Sequence, residues 1–263
     1  MKKWTTLILG ALVLALAVSP GSAELKKKYK VATEGAYAPF NWVDQNGQLQ
    51  GFDVDIAKEL CNRIKVQCEI VAQAWDGIIP GLLAKKYDMI VASMSITEER
   101  KKKVDFTQKY YNTPARLVAK KGSGIDPTNK ETMKGKTIGV QVATIHERFA
   151  KHMWGDVATI KSYDTQDNAN LDLANGRLDM IMADSVALDE GFLKTDLGKN
   201  FEFVGPGYSD PQYHGEGAGI AVRKGDDDLR EALNKAIREI RSDGTYQKIE
   251  SKYFKYDIYG SET

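Results

Sequence analysis

Arg100 is the residue best suited to hold an anion. A guanidinium grips a carboxylate through two parallel hydrogen bonds, which a lysine ammonium cannot reproduce. Ser95 and Thr97 lie just before it at an expected helix start, where unpaired backbone N–H groups favour negative charge. Taken alone, the dense charge run from Glu98 to Lys103 makes Arg100 an ordinary solvated arginine. Asp184 suits the opposite task. It follows an apolar run, where its carboxylate can accept an ammonium or cap the helix expected from Val186. Glu34, Tyr37 and Trp75 are an acid and two aromatics, the types that hold a cation by charge and by cation–π attraction. The aromatics serve equally well as core. His152 and His214 look like surface residues.

Other chemistries find little support. Cys61 and Cys68 are the only cysteines, and no Cys or His partners sit at metal-ligand spacing, so no metal is expected. The pair flanks the end of an expected helix and the start of an expected strand. A turn there brings the two together, and a disulfide is expected in an oxidising compartment. The alternative is two buried free thiols. Closing that loop would stabilise the fold by about 2.5 kcal/mol. Gly215-Glu-Gly217-Ala-Gly219 lacks dinucleotide spacing and context, and no phosphate loop, zinc-protease helix or nucleophile elbow is present. No cofactor is expected.

The N-terminus suggests the compartment. Lys2 and Lys3 precede an apolar run from Leu7 to Val18, and Pro20-Gly21-Ser22-Ala23 ends in small residues. This is the pattern of a secretory signal cleaved after Ala23, with a membrane anchor as the alternative. No Cys follows the small residues, so a lipid anchor is not expected. Cleavage removes two lysines and takes the formal charge from +1 to −1. No basic stripe argues for nucleic acid. With 42% hydrophobic residues the chain can bury substantial cores, as one large domain or two smaller ones.

Strand and helix patterns alternate. Strands are expected at Tyr29–Thr33, Gln67–Ala72, Met89–Ala92, Thr137–Val140 and Met180–Ala183. Helices are expected at Asp53–Ile64, Gly77–Lys85, Ile145–His152, Asp167–Asn175, Val186–Leu193, Asp226–Ser242 and Thr245–Tyr253. That alternation predicts an α/β fold with mainly parallel sheets. Trp75–Ala92 also aligns with Gln166–Ala183 at a constant offset. Asp88-Met89-Ile90 matches Asp179-Met180-Ile181, and Ala92 matches Ala183. Polar groups follow each copy: Ser93 and Ser95 in one, Asp184 and Ser185 in the other. Ligands of α/β sheets bind beyond the carboxyl ends of strands, so two facing units would converge on a cleft. Chance similarity of two helix–strand units is the alternative.

The chain resembles the polar amino-acid-binding proteins of ABC importers, especially the lysine/arginine/ornithine, histidine and opine receptors. The resemblance covers essentially the whole mature chain. It rests on Glu34-Gly-Ala-Tyr37-Ala-Pro-Phe40, Gly51-Phe-Asp-Val-Asp55 and Trp75-Asp-Gly-Ile-Ile-Pro80. Ser93-Met-Ser95-Ile-Thr97-Glu-Glu-Arg100, Ile138-Gly-Val140, Asp184, Asp243-Gly-Thr-Tyr246 and the Cys61/Cys68 pair complete it. It implies a two-lobed type II binding-protein fold, with residues 24–112 and 209–263 in one lobe and 113–208 in the other. A ligand cleft would lie between the lobes.

The resemblance also implies roles. Arg100 becomes the clamp on the ligand carboxylate, with Ser93, Met94 and Ser95 beside it. Asp184 takes the ammonium, and Thr144 adds a second-lobe donor to the carboxylate; each of the two could also only cap a helix. Glu34, Tyr37 and Trp75 would select the side chain, with Gln141 and His146 bordering the same end. Glu34 corresponds to a position commonly acidic in receptors for basic amino acids. His146 resembles a position of opine binders. The implied function is periplasmic capture of a cationic L-amino acid by hinged closure, and delivery by a monomeric receptor to a membrane permease. Two rivals stand beside it: an arginine-derived opine as ligand, or a dehydratase using His146 and Glu34 as acid and base.

Overall fold

The computed structural model describes residues 25–260. The expected signal segment, 1–23, lies outside them. The first lobe opens with β1 (Lys28–Thr33), then a small antiparallel sheet of β2 (Ala36–Tyr37), β3 (Asn41–Val43) and β4 (Leu49–Gln50). It continues with α1 (Phe52–Arg63), β5 (Gln67–Ala72), α2 (Ile78–Leu83), β6 (Met89–Ile90), α3 (Glu98–Lys101) and β7 (Asp105–Tyr111). The second lobe holds β8 (Ala115–Lys120), α4 (Lys130–Met133), β9 (Thr137–Gln141), α5 (Ile145–Trp154) and β10 (Thr159–Tyr163). It ends with α6 (Gln166–Ala174), β11 (Met180–Asp184), α7 (Ser185–Leu188), a π turn at Asp189–Leu193 and β12 (Phe201–Tyr208). The chain then returns through α8 (Pro211–His214) to β13 (Ala218–Val222), α9 (Asp227–Ser242) and α10 (Thr245–Glu250).

The two large sheets have orders β5-β1-β6-β13-β7 and β10-β9-β11-β8-β12. Each has a parallel trio, one reversed strand (β13 or β8), and a last strand antiparallel to that one. Four strands of five therefore run the same way in each sheet. The central strands β11 and β13 are buried along their whole length, as strands covered on both faces must be. The helices follow the sequence pattern. Leu229, Leu233, Ala236, Ile237 and Ile240 form the buried stripe of α9, spaced for one helical face.

Boundaries shift by one or two residues at several helices and depart most from expectation at three. The segment expected at Gly77–Lys85 begins as a 3-10 turn at Trp75–Gly77, and its helix proper ends at Leu83. The one expected at Val186–Leu193 widens into the π turn after Leu188. The last one stops at Glu250, three residues early. The small sheet of β2, β3 and β4 and the strands β7, β8, β10, β12 and β13 were not expected, and the strand expected at Met89–Ala92 ends at Ile90. Cys61 and Cys68 form the disulfide, joining the end of α1 to β5.

The repeated segments occupy equivalent places. β6 and β11 are both the third strand of their trios, with Val31 opposite Met89 and Ile138 opposite Met180. Asp88 and Asp179 do the same work at the far strand ends. Asp88 accepts from Lys30 N–H at 2.9 Å and Lys26 Nζ at 2.8 Å. Asp179 accepts from Thr137 N–H at 2.9 Å and Lys136 Nζ at 3.2 Å.

Candidate functional site

A cleft lies between the lobes, beyond the carboxyl ends of β6 and β11. Arg100, Ser93, Ser95, Glu34, Tyr37 and Trp75 line it from the first lobe. Asp184, Gln141, Thr144, His146 and Ile145 line it from the second. The structure thus brings every expected ligand-binding residue but one to a single cavity. The exception is Met94, which is fully buried in the core under the first lobe's sheet. Past β6 the chain bends, with Ser93 at φ of 52°, and this turn leaves Ser93 and Ser95 on the cleft while Met94 packs into the core.

Thr97 caps the short α3, its hydroxyl accepting from Arg100 N–H at 3.3 Å. That turn aims the Arg100 side chain inward while Glu98 and Glu99 stay exposed. Its guanidinium donates to Ser95 O at 3.0 Å and lies 5.2 Å from the centre of the Trp75 ring. It has no carboxylate partner among the described residues. Burial pulls its pKa down to about 10, so it stays charged at neutral pH. Across the cleft, α5 begins at Ile145, leaving the N–H groups of Ile145 and His146 without intrahelical acceptors. The one proton of the Thr144 hydroxyl is committed: it donates to Gln141 O at 2.7 Å, and the oxygen accepts from Glu147 N–H at 3.1 Å. Any donor that this corner offers an anion is therefore backbone N–H, not the Thr144 side chain.

Asp184 does cap α7, accepting from Val186 N–H at 2.8 Å and Ala187 N–H at 3.4 Å. The Thr113 hydroxyl also donates to it. Burial nevertheless lifts its pKa to about 6 against the opposing pull of those bonds. Glu34 is buried at the cleft wall with one neutral partner, Gln141, whose Nε2 donates to it at 2.5 Å. Burial raises Glu34 to about 7; the Gln141 bond opposes this, and Asp167 and Asp53 add to it. Both acidic groups are thus short of positive charge.

Among the contacts that tie the lobes are Gln141 to Glu34, Asp184 N–H to the Tyr37 hydroxyl at 3.3 Å, Trp75 Nε1 to Ala143 O at 3.3 Å, the Arg148–Glu99 ion pair, and Arg148 Nη2 to Tyr213 O at 3.4 Å.

Several lining residues were not expected, among them Tyr111, Asn112, Thr113, His214 and Gly217. His214 is a correction: it is buried at 8% exposure, not on the surface, and packs 4.8 Å from Phe149. Its Nδ1 lies 3.3 Å from Asp210 O, which can only accept, so Nδ1 carries the proton. Burial pushes His146 down to about 3, helped by His214 and Arg100, so its ring is neutral. His152 is exposed, as expected. Gly217 has φ of 110°, and a Cβ there would sit 2.7 Å from Tyr111 O. A glycine inside a strand-like stretch was the available signal for it.

A cleft between two α/β lobes, with an unpaired guanidinium on one wall and cation-seeking acids elsewhere, is the site of a solute receptor. A family model for bacterial extracellular solute-binding proteins, family 3, matches residues 29–256, and the chain belongs to that family. It is 49% identical over 256 residues to the L-arginine-binding protein of Pseudomonas aeruginosa, covering 97% of this chain and 98% of the relative. It is 46% identical over 252 residues to the histidine-binding periplasmic protein of Escherichia coli, covering 95% and 96%. Its fold matches an ancestral arginine-binding protein bound to arginine, with TM-score 0.80 and 38% identity over 88% of this chain and all of the other.

Proposed function

We propose that the chain captures a cationic L-amino acid, arginine foremost, in the periplasm and delivers it to an ABC importer. The observation that carries this is the distribution of charge in the cleft. Arg100 and the α5 start offer donors to a carboxylate. Asp184 offers an acceptor to the ammonium, and Glu34 with Gln141 awaits a distal cation. A zwitterion bearing a third, positive group satisfies all three. The lobes comprise 24–112 with 209–263, and 113–208, hinged where the chain crosses between them. Only the closed arrangement engages both walls, so ligand stabilises closure. Export removes residues 1–23, and the mature monomer presents its closed form to the permease. The dehydratase reading needs His146 as the acid, and a ring with its pKa depressed to about 3 is unprotonated at neutral pH, which does not favour that role.

Calorimetric titration of refolded, ligand-stripped protein against the L-amino acids, ornithine, citrulline and two arginine-derived opines tests this. Micromolar or tighter binding confined to cationic amino acids is expected. Tight binding to an opine alone would keep the cleft and replace the ligand.

A further inference from the structure

Ser93 leaves β6 with φ of 52°, and its hydroxyl donates to Asp53 Oδ2 at 2.9 Å. Asp53, fully buried in the first turn of α1, takes two further donors: Asn41 Nδ2 at 2.8 Å and the Tyr110 hydroxyl at 2.7 Å. Tyr110 accepts from Ser93 N–H at 3.1 Å, so its own proton goes to Asp53. Two carboxylate oxygens serving three donors describe an ionised, acceptor-only group. A serine hydroxyl has one proton. Ser93 lines the cleft, and with that proton committed to Asp53 its Oγ has only lone pairs left to offer there. Asp184 is likewise acceptor-only, and the Thr113 hydroxyl already points its proton into it. Both walls therefore present acceptors.

We infer that Asp53 is a positioning residue: it holds the Ser93 hydroxyl as an acceptor toward the cleft, forming the first lobe's half of an ammonium subsite that Asp184 completes. The inference rests on the amino-acid-receptor reading above. Asp53 touches no ligand; it sets which way a hydroxyl proton points. An Asn at this position can donate to Ser93 Oγ instead, turning that proton into the cleft against an ammonium.

The test is calorimetry with L-arginine and 5-guanidinopentanoate, which differ only in the α-ammonium. Asp53→Asn is expected to weaken L-arginine by about ten- to a hundredfold, the loss of one bond to a charged group, and to leave the analogue nearly unchanged. Ser93→Ala should do the same, and the double variant should be no weaker than Ser93→Ala alone, because the two act through one bond. Equal losses for both ligands would mean that Asp53 only supports the fold, and unchanged arginine affinity would overturn the subsite. Should Asp53→Asn not fold by circular dichroism, Ser93→Ala decides by the same ligand comparison. Wild-type protein that binds no cationic amino acid would overturn the receptor reading itself, and the subsite with it.

Discussion

At the strand ends away from the cleft the two lobes match; at the ends that line it they do not. Asp88 and Asp179 each bind the N–H of the neighbouring first strand and a lysine, in the same register. Some residues later the copies part. β6 leads to Ser93, held from below by Asp53, whereas β11 ends on Asp184, held by the start of α7. The framework is shared because any parallel trio needs its outer donors satisfied. The walls differ because a zwitterion has two unlike ends, so identical walls could not hold both.

The sharpest way to break this asymmetry is Arg100→Ala. It leaves the ligand carboxylate without its clamp, and affinity should fall by about 2–5 kcal/mol, measured by titration. Binding as tight as wild type would remove the clamp from the cleft's chemistry. Asp184→Asn comes next. Asparagine caps a helix as well as aspartate does, so thermal stability should barely move. Losing the charge should cost about 1.5–3 kcal/mol of affinity. A fall in melting temperature as large as the affinity loss would make Asp184 chiefly a cap. On the shared side, Asp88→Ala and Asp179→Ala should each destabilise by about 1–2 kcal/mol in denaturant melts, with ligand affinity intact. Asp88 should cost the more, because Arg223, only 14% exposed, also pairs with it.

The smallest effect is one of pH. Glu34 is raised to about 7 in the folded protein, so its contribution to ligand-free stability is full below about 4.5 and lost as pH rises toward 7. A cationic ligand favours the ionised form, so affinity should rise by a few-fold to about tenfold across the same interval. Glu34→Gln should flatten both profiles, and an unchanged slope would assign the titration to Asp184 or Asp53.

Much of the cleft was legible because its residues sit in short motifs directly after apolar strands. Ser93, Ser95 and Asp184 followed from the rule that ligands bind beyond the ends of parallel strands, whereas Arg100, inside a dense charge run, was legible only through the family resemblance. The reversed and edge strands were not legible. β12 contains Gly205, Pro206 and Gly207, β10 is mostly exposed, and β13 is apolar and buried throughout, so none carries a clear alternation. His214 was misjudged because its burial comes from Phe149, far away in the chain. Thr144 was placed correctly, but its hydroxyl proton was committed elsewhere by a carbonyl three residues back, which spacing cannot reveal.

The position of β13 bears on the order in which the molecule can assemble. It lies between β6 and β7, yet it is the last strand along the described residues. A polypeptide emerging N-terminus first can complete the sheet of β8 to β12 while the earlier sheet still has a vacant central slot. Closing that slot joins residues more than a hundred positions apart, the kind of pairing that slows folding. The lobe begun first is therefore finished last.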